Sequence, residues 1–197
     1  MLSGMEDLAY VKMPAQLASI TSETMELQFG MGSEPLVGTL LRTLAASKPA
    51  GRFLELGTGT GIATAWLLAG MDAASKFLSV DIDEAVQAVA RKALGDDPRV
   101  SFLLSDGIEF LRAQPDGSFD LVFADAIPGK YEGLEEALRL VRVGGFYIID
   151  DMLPQQNWPE GHAAKVPALM EHLAQQTNFE ILPLVWSSGV AIAVRRS

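Results

Sequence analysis

Short runs dominated by apolar residues recur along this chain and are separated by longer stretches with the spacing of one-sided helices. The runs Arg52–Leu56, Phe77–Asp81, Val100–Leu104, Leu121–Ala124 and Phe146–Asp150 read as strands. Helices are expected over Glu34–Ala46, Ile62–Ala69, Glu84–Ala93, Ile108–Ala113, Tyr131–Val141 and Lys165–Gln176. Alternating strand and helix predicts a parallel sheet flanked by helices. A last pair of strands, Glu180–Leu184 and Val190–Arg195, frames Val185-Trp186-Ser187-Ser188-Gly189, a connection short enough for a hairpin. The expected fold class is therefore α/β: a doubly wound, mostly parallel seven-stranded sheet with an antiparallel last strand. No repeat, low-complexity segment or linker divides the chain, so its 197 residues form one expected domain, 1–197. Residues 1–30 stand apart as an N-terminal extension of weakly helical sequence carrying Leu8, Val11, Met13, Leu17, Ile20 and Met25.

Two of the strands run into chemistry. Arg52-Phe-Leu-Glu-Leu is followed by Gly57-Thr58-Gly59-Thr60-Gly61, and Phe77-Leu-Ser-Val ends in Asp81. Glycines bring backbone close to a ligand because they add no side-chain bulk. An acid at the end of the second strand can hold a ribose by its two hydroxyls. Together the two segments point to a nucleoside cofactor. The dinucleotide fingerprint G-x-G-x-x-G has a longer last spacing, and its helix N-terminus receives a pyrophosphate. Here the last spacing is shorter, and Glu55 sits two residues before the turn, a poor neighbour for a pyrophosphate and a good one for a cation. S-adenosylmethionine (SAM) carries a sulfonium, an ammonium, a ribose and an adenine but no phosphate.

At this point the chain resembles the class I SAM-dependent methyltransferases, whose first motif is E/D-x-G-x-G-x-G and whose fold is Rossmann-like. The likeness narrows further along. Phe119-Asp-Leu-Val-Phe-Ala-Asp125-Ala, then Ile-Pro-Gly-Lys130-Tyr, and later Val143-Gly-Gly-Phe-Tyr-Ile-Ile-Asp150-Asp151, are similar to the catechol and caffeoyl-CoA O-methyltransferases. That resemblance extends from about Glu34 to the final strand. It implies transfer of a methyl group from SAM to a hydroxyl of a small, catechol-like or phenolic acceptor, assisted by a divalent metal. Its oxygen ligands suit Mg²⁺, Mn²⁺ or Ca²⁺.

Residue by residue, it implies that Glu55, Gly57, Thr58, Gly59, Gly61, Asp81, Asp106, Gly107 and Asp125 face the cofactor. Asp125, Asp150 and Asp151 would hold the metal. Two departures stand out. The family often continues its fourth strand as Asp-Ala-Asp-Lys, whereas Asp125-Ala126-Ile127-Pro128 stands here. The lysine that helps to deprotonate the acceptor is therefore missing at its usual position and Lys130 comes two residues late; its role is absent, moved to Lys130 or taken over by the metal. Asp151 replaces the usual Asn and adds a negative charge. The expected catalytic groups are accordingly Asp125 and Lys130, the lysine as an auxiliary to the metal. The resemblance also gives the N-terminal extension a role, covering the cofactor or joining a homodimer.

Plainer roles compete at several of these positions. Asp83 is the natural N-cap of the helix at Glu84, which leaves Asp81 for a ribose. Asp106 can cap the helix behind it, with Glu109 completing a capping box, or sit beside the adenine. His172 reads as a surface residue, and Tyr131, Trp158 and Trp186 as packing residues, with His162, Trp158 and Trp186 in segments that flank the acceptor in the resembled family. A lone carboxylate inside an apolar strand, as at Glu55, is costly unless paired.

Bulk properties remove other classes. The net charge of −10 argues against a nucleic-acid partner, which needs clustered Lys and Arg. Cysteine is absent, excluding disulfides and thiolate metal sites and agreeing with a cytoplasmic location. Met1–Tyr10 lacks the basic and apolar parts of a secretory signal. The nearly apolar run Ile62–Met71 is far short of the ~20 residues that cross a bilayer, so no membrane partner is expected. Two rival functions remain: an NAD(P)-dependent oxidoreductase, and a SAM-binding protein without transferase activity.

Overall fold

The computed structural model describes residues 10–156, 158 and 160–197; the start of the N-terminal extension, Leu8 included, lies outside the described residues. In chain order the elements are α1 (Leu17–Glu26), α2 (Pro35–Ala46), β1 (Arg52–Leu56), α3 (Ile62–Gly70), β2 (Lys76–Asp81), α4 (Glu84–Leu94), β3 (Val100–Leu104) and α5 (Gly107–Ala113). They continue with β4 (Phe119–Ala124), α6 (Ile127–Lys130), α7 (Leu134–Leu138), β5 (Val141–Ile149), α8 (Lys165–Ala174), β6 (Phe179–Leu184) and β7 (Val190–Arg195). The strands form one seven-stranded sheet in the order β3-β2-β1-β4-β5-β7-β6. The β1–β2, β2–β3, β1–β4 and β4–β5 pairs are parallel, while β7 runs antiparallel to both β5 and β6. This is the expected α/β architecture.

Strand alternation builds the two faces. Phe53, Phe123 and Ile148 point to one core with Val37, Leu41 and Leu67, whereas Leu54, Val122 and Tyr147 point to the other with Leu111, Leu140 and Leu173. Both sets are almost fully buried, which is why β1 and β4 read as continuous apolar runs rather than as alternating ones. On the first face α2 and α3 approach closely: a Cβ at Gly38 would lie 2.3 Å from the Trp66 indole nitrogen.

One expected element is corrected. The helix foreseen over Tyr131–Val141 shrinks to the five residues of α7, Leu134–Leu138, and Val141 already belongs to β5. Gly133 adopts φ 66°, a left-handed conformation that ends the turn before α7. Val141 pairs with Phe119 across the sheet, and the register shifts before Leu121 pairs with Phe146, so β5 is longer than the apolar run at Phe146 suggests.

Chain order reverses between β1 and β4. In an open α/β sheet the carboxyl ends of the strands flanking that reversal form a crevice. The glycine turn after β1, Asp81, Asp125 and Asp150 all lie at these strand ends.

Candidate functional site

A cavity of about 330 Å³ occupies this crevice, lined by Gly57, Thr58, Gly59, Asp81, Asp106, Gly107 and Asp125 among others. Phe29, Met31, Gly32 and Ser33, between α1 and α2, line its outer side. The three glycines of the turn have φ of 94°, 51° and 92°, all left-handed. Two of them are fixed by neighbours as well. A Cβ at Gly57 would sit 2.8 Å from the Asp125 carbonyl oxygen, and one at Gly61 2.7 Å from the Ala90 Cβ. Gly61 therefore serves the packing of α4 against the turn and does not line the cavity, unlike the other cofactor-facing glycines expected from the sequence.

Asp81 organises the turn. One carboxylate oxygen accepts from Gly59 N at 2.8 Å and the other from Asp83 N at 2.9 Å. Asp83 caps α4 through Ala85 N and Val86 N, as its position suggested. Asp106 caps α5 through Ile108 N and Glu109 N and also lines the cavity.

Glu55 is placed differently from the direct ligand contact considered for it. It is fully buried and absent from the cavity wall. Its Oε2 accepts from Thr64 Oγ1 at 2.6 Å and Ser79 Oγ at 2.5 Å, and its Oε1 has no hydrogen-bond partner. Burial pushes its pKa from 4.5 to about 8; the Ser79 and Thr64 hydroxyls pull it back and the Asp81 charge adds to the rise. A relay of hydrogen bonds runs from Gln87 Nε2 to Thr58 Oγ1, on to Ser79 Oγ and so to Glu55, tying α4, the turn, β2 and β1 together. Its influence on a ligand passes through Thr58, which does line the cavity.

A second cavity, about 520 Å³, adjoins the first and shares Met31, Gly32, Ser33 and Asp125 with it. Glu34, Asp150, Asp151 and Ser188 complete its polar wall. Asp125 Oδ2 accepts from Ser33 Oγ at 3.2 Å. Asp150 Oδ1 accepts from Asp151 N at 2.7 Å and from Ser188 Oγ. Burial, then the charges of Asp150 and Asp151, push the Asp125 carboxyl well above its ordinary range; burial raises Asp150 to about 6 and raises Asp151. Ser33 and Ser188 carried no sequence signal beyond lying in a helix entry and a hairpin loop.

Lys130, expected as an auxiliary catalytic group, lies inside the protein. A lysine in a Pro-Gly loop reads as solvated, yet Lys130 is only 4% exposed. Its Nζ donates to Asp150 O at 2.6 Å and Asp151 O at 3.2 Å. Burial lowers its pKa, and the Asp125, Asp151 and Asp150 charges oppose that drop. A divalent ion held by protein oxygens needs several of them converging at about 2.0–2.6 Å. Among the described residues no three His, Cys, Asp or Glu side chains are grouped so as to hold one. Asp125, Asp150 and Asp151 repel one another as neighbours, but Ser33 and Ser188 engage two of them. This trio does not fit a metal, and the neighbouring Lys130 ammonium is held by the main-chain carbonyls of Asp150 and Asp151.

Beside Lys130 lies an aromatic cluster. His162 meets Tyr131 edge-on at 5.1 Å and Trp158 at 4.5 Å, with Lys130 Nζ 5.1 Å from the Tyr131 ring centre. Tyr131 Oη and His162 Nε2 have no hydrogen-bond partner among the described residues. Burial shifts the Tyr131 hydroxyl up to about 12 and the His162 imidazole down. His172 is bonded to Glu135 on the surface, as its helical position suggested.

The fold and this crevice define a class, and sequence comparison names it. Residues 54–152 match the family described as a methyltransferase domain, and the chain belongs to that family. A protein of Mycolicibacterium vanbaalenii named "Putative O-methyltransferase" is 33% identical over 129 residues, covering 62% of this chain and 57% of its own length. The chain thus spans a little over half of that curated relative. Among solved structures, the O-methyltransferase TomG from Streptomyces achromogenes, in complex with SAM, superposes with a TM-score of 0.81 at 22% identity, covering 96% of this chain and 93% of its own. The O-methyltransferase from Bacillus cereus, in complex with SAH, gives 0.81 at 20% identity, covering 95% and 94%. At these identities the two structures speak for the fold.

Proposed function

We propose that this chain transfers a methyl group from SAM to a hydroxyl of a small molecule, phenolic or catechol-like. The observation that carries the reading is the meeting of two cavities at Asp125, one walled by the glycine turn, Asp81 and Asp106, the other by polar residues. The donor-side residues suit a ligand with a ribose and a cationic centre, since carboxylates and not phosphate-binding side chains face it. When bound, SAM supplies an electrophilic methyl on its sulfonium. The new O–CH₃ bond forms as the S–CH₃ bond breaks, the sulfonium becomes a neutral thioether, and the hydroxyl proton must leave. Asp125, lining both cavities, takes that proton; Asp81 and the turn fix the donor, and Ser33 orients the Asp125 carboxylate. No step is routed through a metal. The partner is a small molecule, as the acidic charge and the narrow crevice favour. Among the described residues, no helix is long and apolar enough to cross a membrane.

Calorimetry with SAM and with NADH, followed by mass-spectrometric assay of a phenol panel, tests this reading. SAM binding and a product heavier by one methylene are expected. NADH binding without SAM binding would move the chain to the oxidoreductases, and SAM binding with every phenol and alcohol untouched would leave a binding protein.

A further inference from the structure

We propose that Gln87, buried on α4 beneath the glycine turn, is a positioning residue for the cofactor: it clamps the Thr58 hydroxyl and so fixes the turn before a ligand arrives. The inference rests on the methyl-transfer reading for the identity of that ligand and on geometry for the clamp. The other buried residues of α4 are Val89, Ala90 and Leu94, and Gln87 is fully buried among them. An amide in such a place is costly unless its polar atoms are bonded. Here they are. Nε2 donates to Thr58 Oγ1 at 3.0 Å and to Leu103 O at 3.1 Å, and Oε1 accepts from Arg91 Nε at 3.0 Å and Nη2 at 2.8 Å.

Two of these neighbours fix which way the amide faces. A guanidinium only donates and a carbonyl only accepts, so Oε1 must face Arg91 and Nε2 must face Leu103 and Thr58. The direction of the whole chain follows. Thr58 Oγ1 accepts from Gln87 and donates its own proton to Ser79 Oγ at 2.6 Å, and Ser79 in turn donates to Glu55 Oε2. The Thr58 side chain is thus held by α4 and by β2, and it cannot rotate without leaving a buried donor unpaired. Its neighbours Gly57 and Gly59, both at left-handed φ, would otherwise leave the turn many conformations. Gly59 N is held separately by Asp81 at 2.8 Å, so two adjacent residues of the cavity wall have independent anchors. A turn ordered in advance spares the ligand the entropy cost of ordering it. Attaching α4 to the sheet takes only the Leu103 bond; the Thr58 bond is the one that reaches the cavity wall.

Amide hydrogen exchange on the full, ligand-free chain, followed by NMR, and calorimetry with SAM test this. Gln87→Met keeps the side-chain length and removes the donor. The amides of Gly59 and Gly61, whose acceptors are the Asp81 carboxylate and the Thr58 carbonyl, should then exchange at least ~10-fold faster, while Gly57 N, bonded to Val80 O, keeps its rate. SAM should bind ~10-fold more weakly to Gln87→Met and to Thr58→Val. The double variant should be no worse than the worse single one, because both substitutions remove the same link. Unchanged exchange at Gly59 and Gly61, or losses of SAM affinity that add in the double variant, would overturn the proposal. If Gln87→Met does not fold, Thr58→Val decides by the same exchange measurement, and unchanged Gly59 and Gly61 rates in it are equally fatal. A wild-type chain that binds no SAM would instead strike the methyl-transfer reading, while the exchange rates would still report on the clamp.

Discussion

The two halves of the crevice are built on different principles. The donor half is mostly backbone: strand ends, a glycine turn and the helix caps Asp83 and Asp106 between β1 and α5, closed by Phe29, Met31 and Asp125 from either side of that stretch. The acceptor half is side chains gathered from residues 33–34, 125, 150–151 and 188. Backbone geometry is set by local sequence, so the donor half could be derived from spacing alone. The acceptor half depends on contacts between residues as much as 92 positions apart, such as Ser33 with Asp125, and no local pattern encodes them.

The sharpest way to break this comparison is at Asp125, the one titratable residue lining both cavities. Asp125→Asn keeps the shape and removes the proton acceptor. Turnover should fall ~10²–10⁴-fold, the range for a lost general base, with SAM affinity changed far less. An equal loss in SAM affinity, read by calorimetry, would make Asp125 a donor-side residue only.

Glu55 probes what lies beneath the donor half. Its pKa is 4.5 when unfolded and about 8 when folded, so the folded chain holds the proton more tightly. Its stabilisation is complete below pH 4.5 and is lost as pH rises through about 8, on the order of 5 kcal/mol over the window. Glu55→Gln cannot titrate. Its stability relative to wild type should rise with pH across that window, as measured by denaturant unfolding at several pH values. A constant difference would mean that Glu55 is charged in the fold.

What the sequence concealed follows the same division. Arg52–Leu56, Val100–Leu104 and Val190–Arg195 emerged with the expected bounds, because buried strands next to glycine or polar turns carry strong local signals. The helix over Tyr131–Val141 failed because an apolar helical spacing there also suits a strand that begins against Phe119. Glu55 was recognisable as unusual, but whether its carboxyl met a ligand or Thr64 and Ser79 depended on α3 and β2 packing over it. The burial of Lys130 was undecided for a plainer reason: Gly129 permits inward and outward turns alike, and only the Tyr147 and Glu132 contacts choose.

Two smaller effects sharpen the donor half. Gly61→Ala meets both a left-handed φ and the Ala90 contact, so it should cost about 2–4 kcal/mol of stability in urea unfolding. A neutral outcome would mean that α4 can move away from the turn. Asp81→Ala leaves Gly59 N and Asp83 N without their acceptor and removes the expected ribose partner. SAM binding should weaken by about 1–3 kcal/mol in calorimetry, with any phenol affinity unaffected. Equal weakening of both ligands would show that the halves are coupled through the turn.

The smallest expected effect is at Asp151, and it tests whether the acceptor half is held by backbone or by carboxylate. Asp151 adopts φ 53°, a conformation that Asn tolerates as readily as Asp. Lys130 bonds to the Asp151 carbonyl, which Asp151→Asn leaves in place. The substitution also removes one of the three like charges, easing the repulsion that bears on Asp125. Stability should therefore change by less than about 1 kcal/mol, in the stabilising direction, and turnover by less than ~10-fold. Thermal unfolding together with a kcat measurement checks both. A large loss of turnover in a stable Asn variant would give the Asp151 carboxylate a direct part in handling the acceptor, and the fixed carbonyls around Lys130 would no longer account for the acceptor half.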